Sequence, residues 1–444
     1  MSDLPGAEAI TAAGAGPAPS PAARRSLLKR VFPPFTPRQW RVFWISTTAG
    51  YFDSYDGALL SLALRQIQNG LGIAEASLGA MLSAIRLGYL GTLLVAPLAD
   101  VFGRRRLLLY TIVGYTLFTA LSAFAPDQRT FVVSQILARA FSGAEATISI
   151  VILAEEVDAA VRGWAIGLQG ALAISGYGLA AIVFAFIAVA PFGWRGLYAL
   201  ALFPLVLIIP LRRLLPESKR FEAEAAGGIS PRTTRAALAA MFSAYPGRIA
   251  IVFSVWFLYT MGAAPAGVFV PKYLQEMHHW SPAQVSSLYV FGGAIGILGS
   301  IIAGRVSDRF GRHRMGVAFM LAGPAFELMV YSSGGRAVSA FWVGCLFCDQ
   351  ASITLLNAYG AELFPTSHRS AAGSLLTVAR YGGGAIGLLA EGLLYHVAGN
   401  HWTAIRYLLI FWLVAAMVML LGFPETAGRE LEAIAPEAVP VGFE

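Results

Sequence analysis

Two carboxylates lie three residues apart inside an apolar stretch, in the segment Asp53-Ser54-Tyr55-Asp56. Residues at this spacing share one face of a helix. Two carboxylates that close in a poorly solvated place are not both easily ionised, so at least one should bind a proton more readily than in water. The pair predicts a proton site. An alternative is that Asp56 caps or hydrogen-bonds a neighbouring helix and only Asp53 titrates.

Arg139 and Glu145 are two further charges inside an apolar stretch. A guanidinium stays charged and can favour the ionised form of a nearby carboxylate, so Arg139 is a candidate for releasing the proton. The alternative is a static structural ion pair, with Glu145 as one partner. Six residues turn a helix by about 240° beyond one full turn, so a direct pair between these two would be strained.

Arg380 is an isolated cation in a later apolar stretch. Facing a central cavity, it would select anionic substrates through charge-assisted bonds to a carboxylate; the alternative is that it extends to the nearer membrane face. Arg86 is a second candidate, or else one end of a salt bridge at the second helix. Polar and aromatic groups at helical spacing complete the predicted substrate site, and they are equally typical of packing: Trp256, Tyr259, Asp349, Gln350, Thr354 and Asn357.

The stretches that carry these residues are too apolar for a water-soluble fold, since 57% of the chain is apolar and 13% charged, against about 25% charged in soluble domains. A helix needs about 20 apolar residues to cross a bilayer. The pattern predicts an all-α integral membrane protein of twelve helices in two six-helix parallel repeats. The expected parts are a disordered cytoplasmic tail (1–35), an N-terminal six-helix half (36–215), a cytoplasmic connecting segment (216–246), a C-terminal six-helix half (247–424) and a cytoplasmic tail (425–444).

Basic residues predict the orientation. With residue 1 on the cytoplasmic side, the outer loops hold only Arg65, Arg129, Arg195, Lys272, Arg336 and Arg406, the bias that the positive-inside rule demands. This favours a bacterial-type inner membrane with both termini cytoplasmic. The histidines, His401 among them, are assigned to loops without a carboxylate cluster at ligand spacing, so no metal is expected.

The two halves repeat at an offset of 208 residues, with one pair at 207. Groups that recur should belong to the scaffold and its gates, whereas groups that handle substrate or protons need not recur. Parallel repeats place the substrate site between the halves at the membrane midplane. The gating candidates are Asp100, Gly103, Arg104 and Arg105, their counterparts Asp308, Gly311 and Arg312, and the acidic and basic groups Glu155, Arg162, Glu362 and Arg369.

Eight charges inside the spans have no counterpart in the other half. Each costs about 2.5–3.5 kcal/mol at a helix centre, so each should pair or line water, and function is their default interpretation. They are Asp53, Asp56, Arg86, Arg139, Glu145, Glu327, Asp349 and Arg380.

The repeated loops resemble those of the major facilitator superfamily. Its loop motif G-x-x-x-D-x-x-G-R-[RK] is matched from Gly304 to Arg312, with His313 in the last position, while Ala96 replaces the first glycine in the first half. Pro216-Glu217-Ser218-Lys219-Arg220-Phe221 and Pro424-Glu425-Thr426 are similar to the PESPRF and PETKG elements of the branch shared by sugar porters and organic-acid symporters. Asp53-Ser54-Tyr55-Asp56 resembles the D-[GS]-[FY]-D element of aromatic-acid/proton symporters, and Arg139 begins an R-x-x-x-G element with a family role in proton coupling.

The resemblance implies a proton-coupled symporter, not an enzyme, that imports a small organic carboxylate, aromatic acids included, by alternating access. Its expected partners are substrate, proton and lipid bilayer, with no nucleic acid, no cofactor and no metal, and it should work as a monomer. The alternatives are a sugar or polyol porter, a proton-driven drug exporter, and a non-transporting membrane sensor with the same fold. Trp256 and Tyr259 argue against a sugar porter, because sugar porters carry a Gln-Gln and Asn pattern in the seventh span, where these two residues lie.

Overall fold

The computed structural model describes residues 35–203, 241–365, 368–429 and 434–435. The expected tail over 1–35, except Phe35, lies outside the described residues, and so do the segment from Pro216 to Phe221 and most of the tail over 425–444. The side chains of Asp100 and Arg369, two predicted gating residues, are also outside the described part.

The described part of the first half is helical. Its second span is one nearly continuous helical segment, in which short 3-10 turns at Glu75–Ser77, Gly88–Gly91 and Ala96–Leu98 alternate with α-helix. Gly88 and Gly91 lie directly against Ile136 and Ala140 of a neighbouring helix, a close approach that only small residues permit. The helices are α1 (Pro37–Leu62), α2 (Leu64–Leu71), α3 (Leu78–Leu87), α4 (Thr92–Val95), α5 (Ala99–Phe102), α6 (Arg104–Ala123), α7 (Gln128–Glu156), α8 (Ala159–Phe184) and α9 (Trp194–Ala199).

The second half contains six long helices, and eight segments in the described part of the chain are long and apolar enough to cross a membrane. Three more helices, over Pro37–Leu62, Arg312–Val330 and Arg369–Ala398, are long enough to cross a membrane but less apolar. The helices of this half are α10 (Pro246–Met277), α11 (Pro282–Phe310), α12 (Arg312–Val330), α13 (Ala337–Glu362), α14 (Arg369–Ala398) and α15 (His401–Gly422).

The assignment of Lys272 to an outer loop is wrong. The end of the apolar run at Val270 predicts a loop here, but Lys272 lies inside α10 and is 0% exposed. The helix continues for about two turns past the apolar run, and the buried lysine has carboxylate partners there.

The loop glycines of the two halves adopt the same backbone conformation. Gly103 has φ 90° and ψ 138°, and Gly311 has φ 99° and ψ 134°, each directly before the helix that follows it. A side chain is strained at such positive φ values. A Cβ at Gly311 would also collide with the carboxylate of Glu425, which accepts hydrogen bonds from the backbone N–H of Arg312 and His313 at 2.8 and 3.2 Å.

Ion pairs and hydrogen bonds define two faces of the molecule. We call the side where α1 begins the N-terminal face; Arg38 there meets Glu156 at the end of α7, at 2.7 Å. The opposite side is the far face. The hydrogen bonds described between the two halves lie there, including Ser61 Oγ to the carbonyl of Val268 at 2.8 Å. The far face is therefore closed in this structure.

Candidate functional site

Arg139 and Asp56 form a buried ion pair between α7 and α1. The distance from Arg139 Nη1 to Asp56 Oδ2 is 2.9 Å, and the two side chains are 2% and 1% exposed. Arg139 Nη2 also donates to Gln135 Oε1 at 2.9 Å and to the backbone carbonyl of Asp56 at 3.3 Å. The partner of Arg139 is thus Asp56, and the alternative pair with Glu145 is not formed.

Asp53 and Glu145 lie beside this pair without an ion partner of their own in the described residues. Asp53 is close to Ser142 and within electrostatic reach of Arg139 and Asp56, but its Oδ1 is buried and accepts no described hydrogen bond. Glu145 is 0% exposed, and within the described part of the chain neither of its carboxyl oxygens has a hydrogen-bond partner. The structure brings all four predicted proton-coupling residues into one cluster.

Arg380 and Trp256 line a cavity of about 340 Å³ in the second half. The guanidinium carbon of Arg380 lies 5.6 Å from the centre of the Trp256 ring and 6.0 Å from that of Tyr381. Asn357 and Thr377 add polar groups to the lining. Arg380 is exposed within the cavity. A cation beside aromatic rings is suited to a ligand that carries both a negative charge and a ring.

A tyrosine pair joins the cavity to the buried ion pair. Tyr89 of the first half stacks on Tyr381 of the second, with ring centres 4.3 Å apart and an angle of 13°. Arg139 lies 5.8 Å from the centre of the Tyr89 ring. A continuous row therefore runs from Asp56 through Arg139, Tyr89 and Tyr381 to the cavity, and it crosses the boundary between the halves.

Arg86 approaches the same tyrosine from the first half. Its guanidinium carbon lies 6.0 Å from the Tyr381 ring centre, and a Cβ on Gly384 would collide with it. Its Nε has no acceptor within the part of the chain that the structure describes. No salt bridge of Arg86 is present among those residues, so the predicted salt bridge at the second helix is absent there.

The other predicted substrate residues divide into two groups. Tyr259 is 2% exposed and donates its hydroxyl to Asp349, behind Trp256. Gln350 packs its side chain on Gly296 of α11, and the Thr354 hydroxyl donates to the carbonyl of Gln350 at 2.8 Å. These four are not among the lining residues of the cavity, whereas Trp256, Asn357 and Arg380 are.

The predicted gating residues form matching ion pairs on the N-terminal face. Arg104 pairs with Glu155 in the first half, and Arg312 pairs with Glu362 in the second. Asp308 is 66% exposed and lies 3.3 Å from Arg312. Arg162 is exposed and Arg105 partly exposed near the same face. Both described pairs lie within a half, so neither of them closes this face.

A buried charge cluster at the far face escaped the sequence analysis. His401, assigned to an outer loop, begins α15, and its Nδ1 lies 2.5 Å from Glu391 and its Nε2 2.9 Å from Glu75, so the loop assignment is wrong. Lys272 lies in the same cluster. The repeat carried the missing signal, because an offset of 208 places Glu391 opposite Val183, and the search for unmatched charges overlooked it.

The family follows from a comparison with known families. A family model described as the Major Facilitator Superfamily matches residues 44–352 and 252–441. The chain belongs to the Major Facilitator Superfamily. The superfamily and the relatives found are transporters rather than enzymes, which confirms the resemblance inferred from the loop motifs.

Several named transporters are similar to the chain in sequence. The chain is 24% identical to the probable 4-methylmuconolactone transporter of Cupriavidus pinatubonensis, over 90% of this chain and 94% of the relative. It is 27% identical to the gallate transporter of Pseudomonas putida, over 81% and 88%. It is 26% identical to the 4-hydroxybenzoate transporter of Pseudomonas aeruginosa, over 79% and 85%.

Solved superfamily structures share the fold. The inward open conformation of the E. coli xylose transporter XylE matches with a TM-score of 0.72 at 20% identity, covering 89% of this chain and 99% of that one. An inward-facing, unoccupied bacterial homologue of the human lysosomal transporter Spinster matches with a TM-score of 0.69 at 15% identity, over 87% and 97%. The prediction of a multi-pass helical membrane protein with this fold is confirmed.

Proposed function

We propose that the chain is a proton-coupled symporter that imports a small aromatic carboxylate across a bacterial inner membrane. It works as a monomer with both termini in the cytoplasm. The observation that carries the proposal is the row of contacts from the Asp56–Arg139 pair, through stacked Tyr89 and Tyr381, to the cavity beside Arg380. The row supports the proposal because it connects the candidate proton group, Asp56, with the candidate anion-binding group, Arg380, across the two halves.

The substrate class follows from the cavity and from the relatives. Arg380 would bind a carboxylate by charge-assisted hydrogen bonds, and the rings of Trp256 and Tyr381 near its guanidinium offer aromatic surfaces. A volume of about 340 Å³ is within the range of small-molecule sites. Gallate and 4-hydroxybenzoate, named for two of the relatives, each combine one carboxylate with one ring, which is the combination that this lining would recognise.

The buried cluster supplies the coupling. With the far face closed, the guanidinium of Arg139 stabilises Asp56 as a carboxylate, so a proton carried on Asp56 is released from this state. Both members of the pair belong to the first half, and the contact that changes directly when the halves rearrange is the one between Tyr89 and Tyr381. A rearrangement that draws Arg139 away from Asp56 would leave a buried carboxylate without a counter-charge, which is costly until it takes up a proton. Asp53 and Glu145, beside the pair, extend the cluster that holds the proton.

The orientation rests on charge. The N-terminal face carries the arginine-rich loops at residues 104–106 and 305–314, and the positive-inside rule assigns such a face to the cytoplasm. The cavity is lined by residues from the N-terminal-face halves of α13 and α14. The structure then represents an inward-facing state, ready to release substrate into the cell.

Uptake into proteoliposomes tests the proposal. Labelled 4-hydroxybenzoate should accumulate when the outside is acidic and not when the pH is equal on both sides, and D-xylose should not compete. Asp56→Asn should abolish accumulation but leave substrate exchange measurable, because the amide cannot exchange a proton. Glu327→Gln, which neutralises another buried carboxyl outside the cluster, is the matched control and should accumulate substrate.

Accumulation that is independent of the pH gradient, or that survives unchanged in Asp56→Asn, would overturn the coupling. Competition by D-xylose but not by gallate would overturn the substrate class.

A further inference from the structure

A histidine joins two carboxyl groups, one from each half, at the closed far face. Nδ1 of His401 lies 2.5 Å from Oε1 of Glu391, on α14, and Nε2 lies 2.9 Å from Oε2 of Glu75, which begins the second span. The side chains of His401 and Glu391 are 4% and 0% exposed. Both ring nitrogens therefore contact carboxyl oxygens, one from the buried Glu391 and one from Glu75, whose side chain is 41% exposed.

This arrangement needs one more proton than a neutral imidazole and two carboxylates provide. A neutral imidazole has one N–H donor and one acceptor nitrogen, so it can donate to one carboxylate only and would direct a lone pair at the other. One added proton, on the second ring nitrogen or on a carboxyl group, makes both contacts hydrogen bonds. With both contacts formed as hydrogen bonds, the closed far face holds one added proton, shared by His401, Glu75 and Glu391.

The charges around His401 favour the binding of that proton. Lys272 is fully buried, and its Nζ lies 3.0 Å from Glu75 and 2.5 Å from Glu276. With a neutral imidazole, the three carboxylates of Glu75, Glu276 and Glu391 outnumber the two cations in contact with them, Lys272 and Arg65, and the bound proton balances the charges. Gln68 accepts a hydrogen bond from Lys272. The rings of Tyr395, Phe269 and Trp402 lie 4.5, 4.8 and 6.0 Å from the imidazole.

We propose that Glu75, Glu391 and His401, with Lys272, form a second proton-binding site whose occupancy closes the far face. Opening this face moves Glu75 with the first half, away from His401 and Glu391 in the second. The open state then leaves the imidazole with one carboxylate instead of two, so it binds the proton less tightly. By linkage, acid favours the closed far face and a rise in pH favours opening.

This site is distinct from the cluster of Asp53 and Asp56. Its proton returns to the side from which it came, so it controls the gate without being transported. The Lys272–Glu75 contact also joins the two halves, and it provides the closure that remains when His401 is neutral. The inference rests on the proposed function only in taking the far face as the external one.

Distances between spin labels measure far-face closure without substrate or gradient. Cysteines replace Asn69 on α2 and Met277 at the end of α10, both exposed, in a background with Cys345→Ala and Cys348→Ala. The labelled protein in lipid nanodiscs is measured by double electron–electron resonance from pH 5.5 to 8.5. The population with the longer distance should grow as pH rises, by up to about tenfold per pH unit, the limit for one proton.

Variants identify the group that binds the proton. His401→Gln and Glu75→Gln, one in each half, should each abolish the pH dependence. His396→Gln is the matched control, because this exposed histidine on α14 contacts the Tyr395 ring and neither carboxylate. A parent distance that does not change with pH, or an unchanged response in either of the first two variants, would overturn the proposal.

Asp56→Asn separates this proposal from the proposed function. It should keep the full pH response of the far-face distance while losing proton-driven accumulation. A loss of the distance response in Asp56→Asn would overturn the separate gate, and it would leave the uptake result to decide the coupling.

Discussion

At the scale of single residues, the chemistry depends on charges that the chain buries at a cost. Asp53, Asp56, Arg139 and Arg380 are recognisable from the sequence alone, because they are charges inside apolar spans without a counterpart in the other half. The pairing of Arg139 with Asp56 is not, because the two residues are on different helices and their contact depends on how α1 and α7 pack. The substrate role of Arg380 leads to the first prediction.

Arg380→Ala should weaken binding of 4-hydroxybenzoate by about 10- to 100-fold, since a charge-assisted hydrogen bond contributes about 1.5–3 kcal/mol. Isothermal titration of the purified protein measures the affinity. The uncharged analogue 4-hydroxybenzamide is the control, and the variant should bind it no more weakly than the parent does. Equal affinity for the acid in a folded variant would leave Arg380 without a substrate role.

Lys272 and the far-face cluster around it were not predicted from the sequence, and the reason is physical. A lysine at the end of an apolar run has the same pattern whether it lies in a loop or is buried beside carboxylates. Only the partners distinguish the two, and the partners of Lys272 come from α10 itself and from Glu75, 197 positions earlier in the chain. Position in the span pattern could therefore not locate the far-face cluster.

At the scale of elements, the start of α12 explains two of the sequence motifs together. Gly311 provides the positive φ and the space, and Glu425 of the PET element accepts backbone hydrogen bonds at the helix N-terminus. A carboxylate there also interacts favourably with the helix dipole. Apolar runs predict where the helices lie but not where they end: the apolar run over 284–304 predicts a shorter helix than α11, which extends over Pro282–Phe310.

Glu425→Ala should lower stability by about 1 kcal/mol at neutral pH, as for other lost helix caps. Burial raises the pKa of Glu425, but backbone N–H groups of Ala427, Arg312 and His313 lower it more, so the net pKa is below its ordinary value. A lowered pKa means that the stabilisation is complete above about pH 4.3 and is lost as pH falls further.

Thermal unfolding of the parent and of Glu425→Ala, at pH 7.5 and at pH 3, measures this effect. The gap between them should shrink at the lower pH, and Glu425→Gln should lie between the two at neutral pH. A gap that is equal at both pH values would show that the carboxylate charge does not stabilise the helix.

At the scale of the whole molecule, the structure is closed at the far face, and Asp308 is exposed on the N-terminal face. We expect Asp308 to form its gating contact in the opposite state, in which the N-terminal face is closed. Removing the charge would then destabilise only that state, and the equilibrium shifts about tenfold for each 1.4 kcal/mol lost.

Asp308→Asn should therefore raise the labelling rate of a cysteine at Thr377, in the cavity wall, with Cys345 and Cys348 replaced by alanine. Substrate affinity should stay nearly unchanged. Asp158→Asn, at an exposed aspartate near the same face, is the control and should label like the parent. Labelling equal to the parent in Asp308→Asn, or a lowered substrate affinity, would remove this residue from the gate.

The central claim is that substrate and proton cross the membrane together, and proton movement driven by substrate alone tests it most directly. Proteoliposomes with an entrapped pH indicator, equal pH of 7.5 on both sides and a clamped membrane potential receive 4-hydroxybenzoate outside. The interior should acidify faster than in protein-free liposomes, with a rate that saturates with substrate, and Asp56→Asn should exchange substrate without acidification. Substrate entry through the parent protein with no acidification beyond the protein-free control would contradict the account.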